Sequence, residues 1–186
     1  MRCTAGVLLL SLLAACGRGE PPEVDRPLPA CAGTSDSNLP GVSIVVRGPC
    51  TFTLAQAAAG VDVAYDVVVD AELTGVEPAP QDAGGCGRPG ASGLILFESL
   101  SGGGHLYALL DSGLCEPSTP STTLPKGTWT SSFHWTGRNW EGPSDTGNPM
   151  GAPFPAGSYT FRASAVGRWN GAAFEVRAAV PVTLVE

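Results

Sequence analysis

The sequence predicts an all-β protein, an antiparallel β-sandwich of about eight strands. Apolar and polar residues alternate in short segments from residue 31 onward, and the helical spacing of apolar residues is nearly absent. The 186 residues include 25 glycines and 17 prolines, which place turn signals between the segments. Because each segment is half polar, one of its faces can pack on a core while the other meets water. This pattern argues against a parallel sheet that is buried on both faces.

The predicted strands follow one another with short turns between them. Their ranges are 42–46, 52–54, 61–69, 94–99, 106–111, 129–135, 159–165 and 174–180. Glycines 102–104 separate the fourth and fifth strands and predict a hairpin. Pro181 cannot donate to a sheet ladder and therefore indicates an edge or a bulge. The stretch 55–60 is compatible with either one helical turn or a loose hairpin.

The first sixteen residues are typical of an export signal. A short basic start, Met1-Arg2, precedes the apolar run 7–13, which is far shorter than the roughly 20 residues of a membrane span. The next residues, Leu13-Ala14-Ala15-Cys16, resemble the lipobox of bacterial lipoproteins. That resemblance implies cleavage of a signal peptide, 1–15, and acylation of Cys16. Because Gly17 rather than Asp follows, it also implies the outer membrane. The alternative is an ordinary secretory signal with an incidental cysteine.

Composition divides the remaining chain into a tether and one domain. Residues 16–30 consist of the acylated Cys16 that the lipobox implies and a stretch that is rich in proline and charge and contains almost no apolar side chains. Because such a stretch cannot pack on a core, we expect it to be a disordered tether. Residues 31–186 form the predicted sandwich. The net charge of −7 becomes −8 once the single Arg of the signal peptide is removed (−7 − 1). An acidic surface argues against nucleic acid as a partner, and the lipid anchor would be the membrane contact.

The cysteines predict two disulfides. Of six cysteines, Cys3 leaves with the signal peptide and Cys16 is acylated, which leaves Cys31, Cys50, Cys86 and Cys115. Cys86 and Cys115 flank the open end of the predicted hairpin, so this pairing and Cys31–Cys50 are favoured over the two other connectivities. Metal binding is the alternative. However, no C-x-x-C spacing occurs and neither histidine lies near a cysteine in sequence, so we expect no metal.

A second resemblance rests on Phe133-His134-Trp135-Thr136-Gly137 and on the segment 151–163, which contains Pro155-Ala156-Gly157 and Tyr159. This W-x-G … P-x-G-x-Y-x-F arrangement is similar to the last strands of bacterial immunoglobulin-like domains, as in the intracellular proteinase inhibitor and flagellar hook-capping families. The resemblance covers about thirty residues and implies an immunoglobulin-like sandwich. Inhibition of proteases is what the inhibitor family implies. This chain departs from that family in export, lipidation, cysteines and an insertion at 139–150.

No arrangement of residues in the sequence supports a catalytic assignment or a cofactor. The two histidines, His105 and His134, are expected to be exposed. A set of Ser132, His134 and Asp145 can be assembled on paper, but its spacing is not that of a catalytic triad. Asp62, Asp66 and Asp70 recur on one face of a strand and are expected to be solvated. At the usual rise of a strand, residues four apart are about 13 Å from each other, which is too far for these carboxylates to share an ion.

The best candidate for a binding site is the insertion. It carries Trp140, Glu141, Asp145 and Asn148 among glycines and prolines, and aromatic side chains on loops dominate recognition surfaces. The alternative is that Trp140 packs back on its own domain.

The sequence therefore predicts an envelope lipoprotein with a non-enzymatic binding or scaffolding domain, whose partner is another envelope protein or a polysaccharide. The alternatives are a protease inhibitor and a small hydrolase.

Overall fold

Two sheets of mostly antiparallel strands enclose one apolar core, which confirms the predicted β-sandwich. The computed structural model describes residues 31–82, 85–108, 115, 121–140 and 150–186. The signal peptide, Cys16 and the tether lie outside the described residues.

The described residues form fourteen strands and one short helix. In chain order they are β1 (Thr34–Ser37), β2 (Val42–Arg47), β3 (Thr51–Thr53), α1 (Leu54–Ala59), β4 (Val61–Val69), β5 (Leu73–Pro78), β6 (Gln81–Asp82), β7 (Gly85–Cys86), β8 (Arg88–Pro89), β9 (Ile95–Gly102), β10 (His105–Ala108), β11 (Thr122–Leu124), β12 (Gly127–Trp135), β13 (Gly157–Trp169) and β14 (Ala172–Val185). A strand occurs at each of the eight predicted positions, although Leu54 belongs to α1 and residues 109–111 of the fifth predicted strand lie outside the described residues. Most of the additional strands have two to four residues, too few for alternation to reveal them.

The larger sheet is built around the long hairpin of β13 and β14. These strands pair from Gly157 with Leu184 to Trp169 with Ala172. The other edge of β13 is shared by β9 and β5, and β9 in turn pairs with β10 and β8. The other edge of β14 is shared by β1, which is antiparallel to it, and β3, which is parallel to it. Pro181 lies between the segments of β14 that pair with β1 and β3, so the missing N–H disturbs neither ladder.

The smaller sheet has the order β12-β4-β2, with β4 in the centre and β12 at an edge. Its alternating apolar residues face those of the larger sheet. Tyr65 on β4, Phe133 and Trp135 on β12, and Phe161 on β13 are all 0–1% exposed, so both sheets contribute the largest side chains of a shared core.

The stretch 55–60 belongs to α1, which decides the alternative that the sequence left open. Thr53 accepts a hydrogen bond from the backbone of Gln56, and the Gln56 side chain accepts one from the backbone of Thr53. This reciprocal capping satisfies two backbone donors at the start of the helix. Gly60, with φ of 99°, ends it.

Both favoured disulfides are present. Cys31 is bonded to Cys50, and Cys86 to Cys115. Between Cys86 and Cys115 the hairpin of β9 and β10 turns where Gly102 faces His105, as the glycine run predicted. Since these four cysteines are joined in two disulfides, they do not offer thiolates to a metal ion.

Candidate functional site

The candidate site is the end of the sandwich that carries Trp140 and Met150, the described residues on either side of the predicted loop 141–149. After β12 the chain crosses to the free edge of β10, where the Trp140 backbone donates to the Leu106 carbonyl and accepts from the Ala108 N–H, both at 2.8 Å. Two backbone hydrogen bonds join the chain before 141–149 to the chain after it. The Asn139 N–H donates to the Ala152 carbonyl at 2.9 Å, and the Gly151 N–H donates to the Asn139 carbonyl at 2.9 Å. The two ends of the loop are therefore held side by side. Of the predicted binding residues, Glu141, Asp145 and Asn148 lie outside the described residues.

Asn139 organises this neck with its side chain. Its Oδ1 accepts from the Leu106 N–H at 3.0 Å, which fixes the orientation of the amide. Its Nδ2 therefore donates, at 3.0 Å to the Ala152 carbonyl and at 3.0 Å to Nδ1 of His105. It follows that Nδ1 of His105 is an acceptor and that the neutral ring carries its proton on Nε2. The sequence did not reveal this role, because Asn139 and His105 are 34 residues apart and follow no motif.

Aromatic rings form a floor beneath the neck. The Phe154 ring lies 4.8–5.0 Å, centroid to centroid, from Trp135, Tyr159 and His105. The Phe154 N–H also donates to the Gly137 carbonyl at 2.8 Å. The expectation that His105 is exposed is therefore wrong. It is half-buried, since the hairpin turn that carries it lies over this aromatic cluster.

Trp140 packs back on its own domain. Its ring lies 6.0 Å from that of Tyr107, and its Nε1 is buried without a hydrogen-bond partner among the described residues. The side chain supports the base of the loop. At the other end of the loop Met150 is 38% exposed, and its Sδ accepts a hydrogen bond from the Thr136 hydroxyl at 3.1 Å.

Ser132 and His134 do meet an aspartate, but it is Asp62, on the outer face of the smaller sheet. Oδ1 of Asp62 accepts from the Ser132 hydroxyl at 3.1 Å and lies 3.1 Å from Nδ1 of His134. A serine nucleophile needs a base that takes its proton. Here the serine donates to the carboxylate and the histidine contacts that same oxygen. The side chains of His134 and Asp62 are 59% and 63% exposed, so the arrangement orders a polar surface and activates no nucleophile.

Asp66 is not solvated, contrary to prediction, although Asp62 and Asp70 are exposed. Asp66 is 4% exposed and forms an ion pair with Arg47, while the Thr130 hydroxyl donates to its Oδ1 at 2.8 Å. The reason is position: β4 is the central strand, so β2 and β12 supply partners from both sides.

A further cluster, which we call the clasp, joins the two sheets and consists of Tyr65, Arg88 and Glu98. Arg88 binds both carboxylate oxygens of Glu98, at 2.6 and 2.7 Å, and the Tyr65 hydroxyl donates to Glu98 at 2.5 Å. The Glu98 side chain is only 5% exposed. Burial, and then the charge of Glu98, raise the pKa of Tyr65 well above its ordinary value. The hydrogen bonds to Glu98 raise the pKa of Arg88. In the clasp the Glu98 carboxylate is buried and both of its oxygens accept hydrogen bonds, whereas the Arg88 side chain is 43% exposed.

Among the described residues, no cluster of three or more histidine, cysteine, aspartate or glutamate side chains could hold a metal ion. A groove of about 920 Å³ runs along β5, β13 and β14, with Glu77 and Arg168 on its rim and Phe174 and Val166 among its lining.

Comparisons of the chain with protein-family models, curated proteins and solved structures find no significant match. Within the described ranges, no helix has the length and apolar character needed to span a membrane.

Proposed function

We propose that the protein is an envelope lipoprotein that works by binding and not by catalysis. Acylated Cys16 holds it at the outer membrane, residues 16–30 act as a tether, and the sandwich presents the loop 141–149 to another envelope protein or to a polysaccharide. The observation that carries the proposal is the neck, where Asn139 ties both ends of the loop to the body of the domain through backbone and side-chain hydrogen bonds.

A fixed neck favours binding for a thermodynamic reason. A loop whose ends are already positioned loses less conformational freedom when a partner docks, so more of the contact energy is available as affinity. The rigid aromatic floor beneath the neck serves the same purpose. The hydrolase alternative receives no such support, because Ser132 donates to the exposed Asp62 carboxylate and not to His134.

The anchoring part is tested by replacing Cys16 with serine in the full chain. We expect the protein to move from the membrane fraction to the soluble fraction, because several buried methylenes, each contributing about 0.8 kcal/mol, hold it there. Cys3→Ser is the matched control, since it changes another cysteine of the leader and should leave fractionation unchanged. Membrane retention of Cys16→Ser would refute acylation as the anchor.

The binding part is tested by capture of envelope components and purified surface polysaccharide on the immobilised mature protein. Replacement of 141–149 by a glycine-serine linker should abolish capture. Trp140→Ala, which removes the support at the base of the loop, should weaken it about tenfold. Trp169→Ala is the control, because Trp169 lies at the opposite hairpin and its Nε1 donates to the Thr74 carbonyl at 3.1 Å. Undiminished capture by the linker variant would overturn the proposal.

A further inference from the structure

The smaller sheet has two edge strands, β12 and β2, and of these β2 carries Arg47 whereas β12 carries no charged residue. No described strand pairs with the outer edge of β12, whereas Trp140 covers the edge of β10 and both β1 and β3 cover that of β14. Open edges in soluble proteins are usually blunted by charge, proline or a covering segment, because their free N–H and C=O groups accept another strand. The sequence of β12, Gly-Thr-Trp-Thr-Ser-Ser-Phe-His-Trp, contains no lysine, arginine, aspartate, glutamate or proline.

One contact shows which backbone groups face outward. The carbonyl oxygen of Ser132 accepts a hydrogen bond from Arg88 at 3.5 Å, and because Arg88 belongs to β8 and not to β4, this contact indicates that the carbonyl points away from β4. Since the N–H and C=O of alternate residues in an antiparallel strand point to the same side, Thr128 and Thr130 also face outward. Arg88 covers the edge at Ser132. In the part of the chain that the structure describes, nothing pairs with the remaining stretch 127–131, which is centred on Trp129.

Trp129 itself is incompletely covered. It faces the core beside Val67 but remains half-buried, with its ring folded over Gly127 at the end of the edge. An antiparallel partner centred on the same residue would place a second Trp129 directly opposite, in a pair without hydrogen bonds, where Cα atoms approach to about 4.5 Å. Such a pair buries the exposed part of both rings.

We propose that this edge pairs with the same edge of a second copy of the chain, across a two-fold axis at Trp129. Thr128 of each copy exchanges hydrogen bonds with Thr130 of the other, and the two three-stranded sheets join into one. The stretch is uncharged, so no like charges meet at the contact, whereas a charged partner strand would find no counter-charge on it. The proposed function places both copies in one membrane leaflet through their acyl chains. This shared anchoring raises the effective concentration of one copy around the other and so favours the pairing.

The test uses Lys126, the single lysine of the chain, which precedes β12. In the proposed pairing the two Lys126 Cα atoms lie about 20 Å apart, six residues at the usual rise, within reach of a bifunctional amine cross-linker. The acylated full-length protein in its membrane should give a covalent dimer whose linked peptide is Lys126–Lys126. Raising the salt concentration should increase the dimer fraction, because it screens the repulsion between two acidic chains.

Thr128→Pro removes the outward N–H of Thr128, which no described group uses, and should lower the dimer fraction at least about tenfold. Thr128→Val keeps that N–H and should dimerise like the unchanged chain. Thr128→Glu, which brings like charges to the contact without removing an N–H, should also give a monomer. Equal thermal midpoints of the variants separate loss of pairing from loss of folding. A monomeric unchanged chain, a cross-link to a different protein, or a dimer that survives in both Thr128→Pro and Thr128→Glu would overturn the proposal.

Discussion

Replacing Arg88 by alanine should lower the free energy of unfolding by about 3 kcal/mol, because it leaves the Glu98 carboxylate buried without its cation. The estimate starts from two lost hydrogen bonds to a charged group, each contributing roughly 1.5–3 kcal/mol. It is taken at the low end because the Arg88 side chain is 43% exposed and because Tyr65 still donates to Glu98. For a domain of 156 residues (31 to 186), this corresponds to a melting temperature lower by about 6–12 °C.

The measurement is thermal and urea unfolding of the mature domain with its disulfides intact. Arg177→Ala is the matched control, since Arg177 also pairs with a carboxylate, that of Asp36 at 2.9 Å, but both side chains are at least half exposed. That change should cost no more than about 0.5 kcal/mol. Adding Glu98→Gln to Arg88→Ala should recover part of the loss, because it removes the stranded charge. Equal effects of Arg88→Ala and Arg177→Ala would show that burial of the Glu98 carboxylate does not determine the loss of stability.

Three further predictions concern tyrosine, glycine and the disulfides. Because burial raises the pKa of Tyr65, the unfolded chain loses the phenol proton at a lower pH than the folded chain does. The free energy of unfolding should therefore fall above about pH 10, by up to about 1.4 kcal/mol per pH unit. Urea midpoints measured across this range should fall less steeply for Tyr65→Phe. Gly137→Ala should lower the free energy of unfolding by about 3 kcal/mol in denaturant, because φ is 74° and the new Cβ would lie 2.9 Å from the backbone of Ala57. Gly171→Ala is the control, since φ is 78° but the Cβ would meet no atom within 4 Å, and it should lower that free energy by only about 1–2 kcal/mol. Equal losses would contradict the steric argument. Replacing both Cys86 and Cys115 with serine should lower the free energy of unfolding by about 3 kcal/mol, since the bridge closes a separation of 29 residues, and an unchanged melting temperature would exclude a stabilising role.

The sandwich could be predicted because its information is local. Alternation along 61–69 identifies a strand and its buried face, and the glycine run at 102–104 identifies a hairpin, which in turn suggests the Cys86–Cys115 pairing. Trp135 and Tyr159 are apolar residues at the end of one predicted strand, 129–135, and the start of another, 159–165, and they are 0% and 5% exposed. Each of these conclusions needs only the residues of one strand or one turn.

The contacts that decide the chemistry are not local. Asp66 reads as a solvated residue on its own strand, but Arg47 and Thr130 reach it from the two neighbouring strands. The clasp and the bond between Asn139 and His105 likewise join residues whose proximity depends on how the strands assemble. A polar residue in an alternating pattern is assigned to the surface, and only the register of its neighbours reveals whether it is buried and bonded.

The Cys31–Cys50 bridge also determines how the domain carries mechanical load. A pull applied through residue 31 passes across the disulfide to Cys50 and bypasses β1 and β2. The Cys50 carbonyl accepts from the Thr183 N–H at 2.7 Å, and β3 continues alongside β14 in parallel. Tension therefore enters the larger sheet as shear on its C-terminal strand, and reduction of the bridge would divert it through β1 instead.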